Sequence, residues 1–183
     1  MSDVASLSSS LQGEIYQNLR SRVMWPLGNW FRPSFSVTRA DLAMALVLGG
    51  RVPQYLPGQP TYSDVRDAST MIFVESAQAA PDGPLFINTT AGGRFHPYDS
   101  ADRLTAAVAL VRAAGLRAQA ESQSNAPLAV LDALNIPTAL RGYVSVALSK
   151  GILSSGSYFY PQKALTRGEL AHAMAVLQNL ATQ

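Results

Sequence analysis

Hydrophobic residues recur at helical spacing in five stretches of the chain. Each stretch places apolar side chains three or four positions apart, the spacing of one face of an α-helix. The positions are Leu11, Ile15 and Leu19; Leu42, Ala45, Leu46 and Gly49; Met71, Val74 and Ala77 or Gln78; Leu140, Tyr143, Val144 and Leu148; and Leu170, Ala173, Met174 and Leu177. A sixth helix is predicted from about Asp102, a capping residue, to Ala114, because Gly115 follows it.

Capping residues predict where several of these helices begin. Thr38 is followed at the third position by Asp41, and Thr166 by Glu169, so both pairs resemble capping boxes. For the first helix we expect Ser2 or Asp3 as the cap. Two polar or proline-rich stretches, 51–60 and 119–125, are predicted to be links without secondary structure.

Four residue types recur along the chain with one fixed period. The arginines stand at positions 39, 103 and 167, so each is 64 residues from the next. The same period relates Phe31, Phe95 and Phe159; Pro33, Pro97 and Pro161; and Gly28, Gly92 and Gly156. A fixed period of this kind indicates a repeat architecture.

The period divides the chain into three units, 1–50, 61–116 and 126–181. Each unit reads as a helix, a glycine-rich loop, a Phe-x-Pro sequence and a capped second helix. A lone unit of this size cannot bury its apolar face, whereas three units can do so around a common axis. We therefore expect one all-α domain, residues 1–183, made of three tandem helix–loop–helix repeats with approximate threefold symmetry.

Composition narrows the functional classes. Hydrophobic residues make up 48% of the chain, which indicates a folded protein, and charged residues make up only 14%, which is low. A net charge of +2 without a run of basic residues argues against nucleic-acid binding. There is no cysteine for disulfides or thiolate metal sites. We expect neither a signal peptide at residues 1–4 nor a membrane span, so the chain is either cytosolic or a piece of a larger secreted protein.

No catalytic set is visible in the sequence. Serine-hydrolase, phosphate-loop, dinucleotide and zinc-protease motifs are absent. Glu169 and His172 share a helix face and offer two metal ligands, but no third ligand is apparent. We expect this pair to be a surface feature and His96 to be a loop residue. We therefore predict that the protein is not an enzyme, and we expect no cofactor.

The repeated arginines occupy an unusual position. Arg39, Arg103 and Arg167 each follow a predicted cap, where the helix dipole disfavours a cation. One explanation is an anionic ligand, bound by free backbone N–H groups and by the two-pronged guanidinium facing outward. In that case Gly28, Gly92 and Gly156 let the backbone approach the ligand. The aromatic residues Trp25, Trp30, Tyr98 and Tyr158 flank the same loops and are candidates for stacking on a sugar.

A structural explanation stands beside it. Each arginine would pair with a carboxylate of a neighbouring unit, such as Asp3, Asp64 or Asp132, and hold the units together. The glycines would then be turn residues, and the aromatic side chains would belong to the core.

These motifs resemble the S-layer homology family. The resemblance rests on the Ser-Asp-Val, Gly-Ile, Phe-x-Pro and Thr-Arg-Ala-Glu-like sequences, and it extends over nearly the whole chain. The matching residues are Ser2-Asp3-Val4, Phe31-x-Pro33 and Val37-Thr38-Arg39-Ala40-Asp41; Ser63-Asp64-Val65; and Gly151-Ile152, Gly156, Phe159-x-Pro161 and Leu165-Thr166-Arg167-Gly168-Glu169.

The resemblance implies a pseudo-threefold helical spindle and an extracellular location at the cell wall or S-layer. It implies non-covalent binding of an anionic secondary cell-wall polysaccharide, often pyruvylated, in grooves between repeats. The implied ligand contacts are Arg39, Arg103 and Arg167, then Gly28, Gly92 and Gly156, with Trp30 and Tyr158. An attached catalytic or S-layer domain of a parent chain is a further implied partner. The alternative is a structural or protein-interaction module of a larger secreted protein.

The sequence also departs from the family pattern. Unit two lacks the threonine and the acidic residue of the motif. Asp102 stands next to Arg103 and is a candidate to neutralise the charge of that arginine. In unit three Gly168 replaces the usual alanine, and the Ser-Asp-Val start is reduced to Leu131-Asp132-Ala133. At least one of the three grooves is therefore a candidate to be inactive.

Overall fold

The computed structural model describes residues 1–180 of the chain. They form seven α-helices and one short 3₁₀ helix. The α-helices are α1 (Ser9–Arg20), α2 (Arg39–Leu48), α3 (Ala68–Gln78), α4 (Arg103–Ala113), α5 (Arg117–Ser122), α6 (Thr138–Ser149) and α7 (Arg167–Leu180), and the 3₁₀ helix is Ala133–Asn135. Among these residues there are isolated β-bridges but no strand, so the predicted all-α class is confirmed. The predicted last residue of unit three, 181, lies outside the described range.

The capping residues predicted from the sequence are confirmed with one exception. The Thr38 side chain accepts the N–H of Asp41 and the Asp41 carboxylate accepts the N–H of Thr38, which completes a capping box on α2. Thr166 and Glu169 make the same pair of bonds on α7. The prediction for α1 was wrong, because Ser8 and not Ser2 or Asp3 caps it. Ser8 therefore fixes the start of α1 and leaves Asp3 available for a tertiary contact.

Helix α5 was not predicted. Its six residues overlap the stretch 119–125 that the sequence analysis treated as a link. Only Ala120 is buried in α5, and a single buried position gives no periodic signal. The helix packs against α6, where Gly142 allows the two backbones to come close. Tertiary packing therefore stabilises a segment that is too short to be a stable helix alone.

An aspartate anchors the Phe-x-Pro sequence in each unit. Asp64 accepts the N–H groups of Phe95 and His96, both at 2.8 Å. Asp3 binds Phe31 and Arg32 in the same way, and Asp132 binds Phe159 and Tyr160. The middle residue of all three sequences has a left-handed conformation, with φ of 58° at Arg32, 58° at His96 and 57° at Tyr160. The aspartate thus stabilises a backbone shape that non-glycine residues rarely adopt.

Three residues that stand 64 positions apart connect the units. The N–H of Val37 donates to Leu165 at 2.8 Å, that of Leu165 to Ala101 at 2.8 Å, and that of Ala101 to Val37 at 2.9 Å. All three side chains are buried. The ring of bonds therefore joins the first, second and third units inside the core.

Helix packing follows the same order. The second helix of each unit packs against the first helix of the next: α2 against α3, α4 against α6, and α7 against α1. The contact of α7 with α1 brings the two ends of the chain together. Phe31, Phe95 and Phe159 are fully buried in the common core beside the starts of these second helices.

Candidate functional site

The three repeated arginines make one shared contact across the unit boundaries. Each Nε donates at 2.8 Å to the carbonyl of a phenylalanine in the next unit, and each guanidinium lies over that phenylalanine ring. The pairs are Arg39 with Phe95, Arg103 with Phe159 and Arg167 with Phe31, with distances to the ring centre of 4.7, 5.1 and 4.8 Å. The third pair closes the circle from unit three to unit one.

The N–H groups at the start of these helices are not free. The N–H of Arg39 donates to Asp99 and that of Ala40 to Pro97, at 3.0 and 2.8 Å. The corresponding groups of α4 and α7 donate to Lys163 and Pro161 and to Phe35 and Pro33. The expectation that these groups would bind an anion is therefore wrong, because carbonyl groups of the next unit already accept their hydrogen bonds.

Burial differs among the three guanidinium groups. Arg39 and Arg103 are only 7% and 5% exposed, which corrects the expectation that all three face outward. Arg167 is partly exposed. Burial lowers the pKa of Arg39, and it also lowers that of Arg167, where the negative charge of Asp41 acts in the opposite direction.

The remaining partners of the arginines also differ. Arg39 donates to the side-chain oxygen of Asn88 at 3.1 Å. Arg103 forms an ion pair with Glu169. Arg167 donates to the carbonyl oxygen of Trp25. Within residues 1–180, Arg103 is therefore the one of the three that a carboxylate pairs directly.

The structural explanation is correct in one unit, but with a different acid. Asp3, Asp64 and Asp132 were the expected partners, and they instead bind the backbone of Phe-x-Pro. Asp102, the candidate to neutralise Arg103, caps α4 through the N–H of Thr105. The acid that pairs with Arg103 is Glu169 of unit three.

The sequence contained a signal for this pairing that was not used. At the 64-residue period the acidic position of the motif is Asp41, Thr105 and Glu169 in the three units. Of these, only glutamate has a side chain long enough to cap its helix with one oxygen and bind an arginine with the other. A comparison of the repeats at this position would have singled out unit three.

Three grooves lie at the starts of the second helices, and of the three arginines Arg167 is the one that lines a groove directly. The groove beside Arg167 has a volume of about 100 Å³ and is lined by Trp25, Leu27, Asp41 and Met44, among others. Trp25 is 43% exposed, so an aromatic ring and a partly exposed guanidinium lie in one depression. This arrangement suits a ligand with an apolar ring face and a negative group.

The other two grooves differ in chemistry. The groove at α7 has a volume of about 270 Å³ and contains Glu14, Glu169 and His172. The groove at α4 has a volume of about 170 Å³, is largely apolar and contains Asn88. An acidic groove and an apolar groove are less suited to an anion than the groove beside Arg167.

The three glycines of the repeat do not behave alike. Gly28 and Gly92 have φ of 64° and 79°, a conformation that favours glycine. Gly28 lies in a tight turn closed by the N–H of Leu27 and the carbonyl of Trp30. Gly156 lacks this conformation. Turn geometry therefore explains the glycine at two of the three positions, and all three glycines are exposed.

The candidate aromatic residues lie on the surface and not in the core. Trp30 is 47% and Tyr158 46% exposed. Tyr158 stacks on Tyr160 with ring centres 5.4 Å apart. Tyr98 donates its hydroxyl to Asp67 at 2.9 Å. Exposed rings at these places remain available to a ligand.

Glu169 and His172 were expected to be a surface pair, but both are partly buried and they bind different partners. Glu169 binds Arg103, while His172 contacts the Glu14 carboxylate at 3.1 Å and the carbonyl of Gly151 at 2.9 Å. Among residues 1–180 no group of three or more His, Cys, Asp or Glu side chains is arranged to hold a metal ion. None of the helices in that range has the length and apolar character needed to cross a bilayer.

Residues 132–171 match the family model of the S-layer homology domain. The matched segment includes Asp132, helix α6, the third Phe-x-Pro sequence and the start of α7. An S-layer homology domain is a non-catalytic binding module, and it implies attachment to cell-wall polysaccharide at the cell surface. No curated protein matches the chain.

Proposed function

We propose that the whole chain is one S-layer-homology-type domain whose units, 1–50, 61–116 and 126–181, form a pseudo-threefold helical spindle. Three observations support this arrangement. The backbone ring of Val37, Ala101 and Leu165 joins the units. The arginine-to-phenylalanine contacts repeat across all three unit boundaries. The helices pack in the same cyclic order, with α7 on α1.

We further propose that the domain anchors its parent protein at the extracellular cell wall by binding an anionic, pyruvylated secondary cell-wall polysaccharide. The observation that carries this proposal is the groove that holds Arg167 and Trp25. Arg167 is partly exposed and has no ion-pair partner among the described residues. Its guanidinium would bind the carboxylate of a pyruvate ketal, while Trp25 packs against the sugar ring.

The other candidate residues receive different roles in this proposal. Arg39 and Arg103 hold the units together, since both are buried and bonded to the next unit. Gly28, Gly92 and Gly156 shape the loops that border the grooves. Trp30 and Tyr158 are exposed and would contact sugar residues beyond the ketal.

The test is sedimentation of the purified chain with cell-wall sacculi. We expect Arg167→Ala to weaken binding by about ten-fold or more, because a charge-assisted hydrogen bond is lost. Arg20→Ala is the matched control, since it removes the same charge from an exposed position on α1. Chemical depyruvylation of the wall should weaken the wild type and leave little further effect of Arg167→Ala.

The proposal has a clear contrary outcome. If Arg167→Ala keeps its helical circular dichroism and sediments with walls as the wild type does, Arg167 does not bind the anion. Equal binding to native and depyruvylated walls would remove the ketal from the proposal.

The second candidate function is a structural or protein-interaction module that packs against an attached catalytic or S-layer domain. The ion pair of the buried Arg103 with the partly exposed Glu169 favours it, because that arginine is neutralised within the domain. This function predicts no sedimentation with walls under any wall treatment. It also predicts that Arg103→Ala lowers the melting temperature by several degrees.

A further inference from the structure

A cavity lies beside the first helix of unit two, apart from the grooves described above. The cavity has a volume of about 540 Å³ and lies between α3, the proline-rich stretch 51–60 and the long loop after α3. Ser76 holds the proline-rich stretch in place: its hydroxyl accepts the N–H of Tyr55 at 2.7 Å and lies 3.2 Å from the carbonyl of Tyr55. We refer to this space as the unit-two cavity.

The unit-two cavity contains a buried carboxylate that has no cationic partner. Glu75 is only 3% exposed, and no ion pair among residues 1–180 includes it. Its two oxygens each accept one hydrogen bond, from the N–H and from the hydroxyl of Thr61, at 2.6 and 2.7 Å. A buried carboxylate is normally paired or fully hydrogen-bonded, and a carboxylate can accept about four hydrogen bonds. Glu75 thus retains acceptor capacity inside the cavity.

The wall next to Glu75 is rigid and already hydrogen-bonded. The side-chain N–H₂ of Gln78 donates to the hydroxyls of Tyr62 and Thr89 at 2.7 and 2.8 Å. The Gln78 oxygen accepts the N–H of Phe86 at 3.0 Å. The side chains of Gln78, Tyr62 and Thr89 thus bond mainly to one another and to the backbone. We therefore consider Glu75 the principal hydrogen-bonding group for a ligand in the cavity.

The charges around the cavity decide which kind of donor it suits. Arg112 and Arg117 also line it, and Glu121 forms ion pairs with both, at 3.7 and 2.8 Å. The formal charges of Glu75, Glu121 and the two arginines therefore cancel. A neutral ligand keeps this balance, because hydroxyl groups can donate to a carboxylate without carrying charge.

An exposed aromatic ring completes the cavity. Tyr55 is 50% exposed and lies at its edge, on the stretch fixed by Ser76. A carboxylate that accepts from hydroxyl groups, beside an aromatic ring that covers an apolar face, is the chemistry that recognises a sugar ring.

We infer that the unit-two cavity binds a neutral sugar residue, with the sugar hydroxyls donating to Glu75 and the ring packed on Tyr55. This site is separate from the groove of Arg167 and does not depend on a pyruvate ketal. It would let the domain hold a second, uncharged residue of a polysaccharide.

The test uses saturation-transfer NMR and chemical-shift titration of the full chain with cellobiose and glucosamine. We expect cellobiose to bind and glucosamine to bind more weakly, because its ammonium group would add an unbalanced positive charge beside Arg112 and Arg117. Glu75→Gln keeps the shape of the side chain and removes its charge, and we expect it to weaken cellobiose binding about ten-fold or more. Tyr55→Ala should do the same, whereas Tyr16→Ala, an exposed aromatic on α1, should have no effect.

Absence of binding by cellobiose would overturn the inference, and so would cellobiose binding that survives both Glu75→Gln and Tyr55→Ala. Glucosamine binding alone would assign the cavity to an ammonium group and also overturn it. Arg167→Ala should leave cellobiose binding unchanged. The failure of wall sedimentation and the failure of sugar binding at Glu75 are therefore distinguishable.

Discussion

Gly142 allows the backbones of α5 and α6 to approach closely, and its replacement by alanine is a sharp test of the packing. A Cβ at position 142 would lie 1.8 Å from the carbonyl oxygen of Ala120 in α5 and 3.0 Å from the N–H nitrogen of Ser124. Both atoms belong to the backbone and cannot rotate away. To restore ordinary contact, α5 and α6 must therefore separate by about 1.5 Å.

The expected magnitude follows from two opposing effects. Alanine in place of glycine within a helix contributes about 1 kcal/mol of intrinsic stability. Overpacking a rigid contact costs about 1–3 kcal/mol and occasionally more. With backbone on both sides, we expect Gly142→Ala to lower the free energy of unfolding by about 2 kcal/mol net. In a chain of this length that corresponds to a fall in melting temperature of roughly 4–8 °C.

Gly13→Ala is the matched control. Gly13 is an exposed position within α1, and a Cβ there would have no atom within 4 Å. We expect this variant to raise the free energy of unfolding by about 0.5–1 kcal/mol, because only the helix propensity changes. The same substitution thus has opposite signs at the two positions.

The assay is urea denaturation followed by circular dichroism, together with thermal unfolding. An unchanged dependence on urea concentration would show that both variants unfold over the same surface. A Gly142→Ala protein as stable as Gly13→Ala would refute the close approach of α5 to α6.

Three further predictions follow from the contacts between and within the units. The Arg103→Ala and Glu169→Ala variants should each destabilise the fold by about 3 kcal/mol, and the double variant by less than their sum, as a double-mutant cycle would measure. Burial raises the pKa of Asp64, but hydrogen bonds from two backbone N–H groups lower it by more in total, so the pKa in the folded state is below that in the unfolded state. The ionised Asp64 carboxylate therefore stabilises the fold above about pH 4, and this stabilisation is lost as pH falls through the folded pKa. The Asp64→Asn variant should be less stable than the wild type at pH 7. Its melting temperature should fall less than that of the wild type between about pH 5 and pH 2.5. Thr38→Ala removes the cap of α2 and should cost about 1 kcal/mol in urea denaturation.

The comparison of sequence and structure separates local from distant interactions. The helix starts at Thr38, Asp102 and Thr166 were predicted correctly, because a cap and its partner N–H stand within three residues. The start of α1 was misplaced because Ser8 and Ser2-Asp3 are all capable caps. The position of Asp3 was decided by its bond to a loop about thirty residues later.

The candidate site shows the same division. The 64-residue period identified Arg39, Arg103 and Arg167 as equivalent positions. The guanidinium group by itself indicated that these positions suit an anionic partner. The sequence did not show that Arg103 meets Glu169, that Arg39 is buried, or that carbonyl groups of the next unit accept the helix-start hydrogen bonds. Each of these depends on how one unit is placed against the next.

By itself the sequence determined six of the seven described α-helices and the caps of α2, α4 and α7, because these depend on hydrogen bonds and side-chain periodicity over a few neighbouring residues. It also contained the 64-residue repeat. Only the tertiary structure decided which of three similar arginines stays partly exposed, which side chains border the unit-two cavity, and that α5 is helical. These features arise from contacts between residues far apart in the chain, where small differences in packing determine whether a charge meets a carboxylate, a carbonyl or solvent.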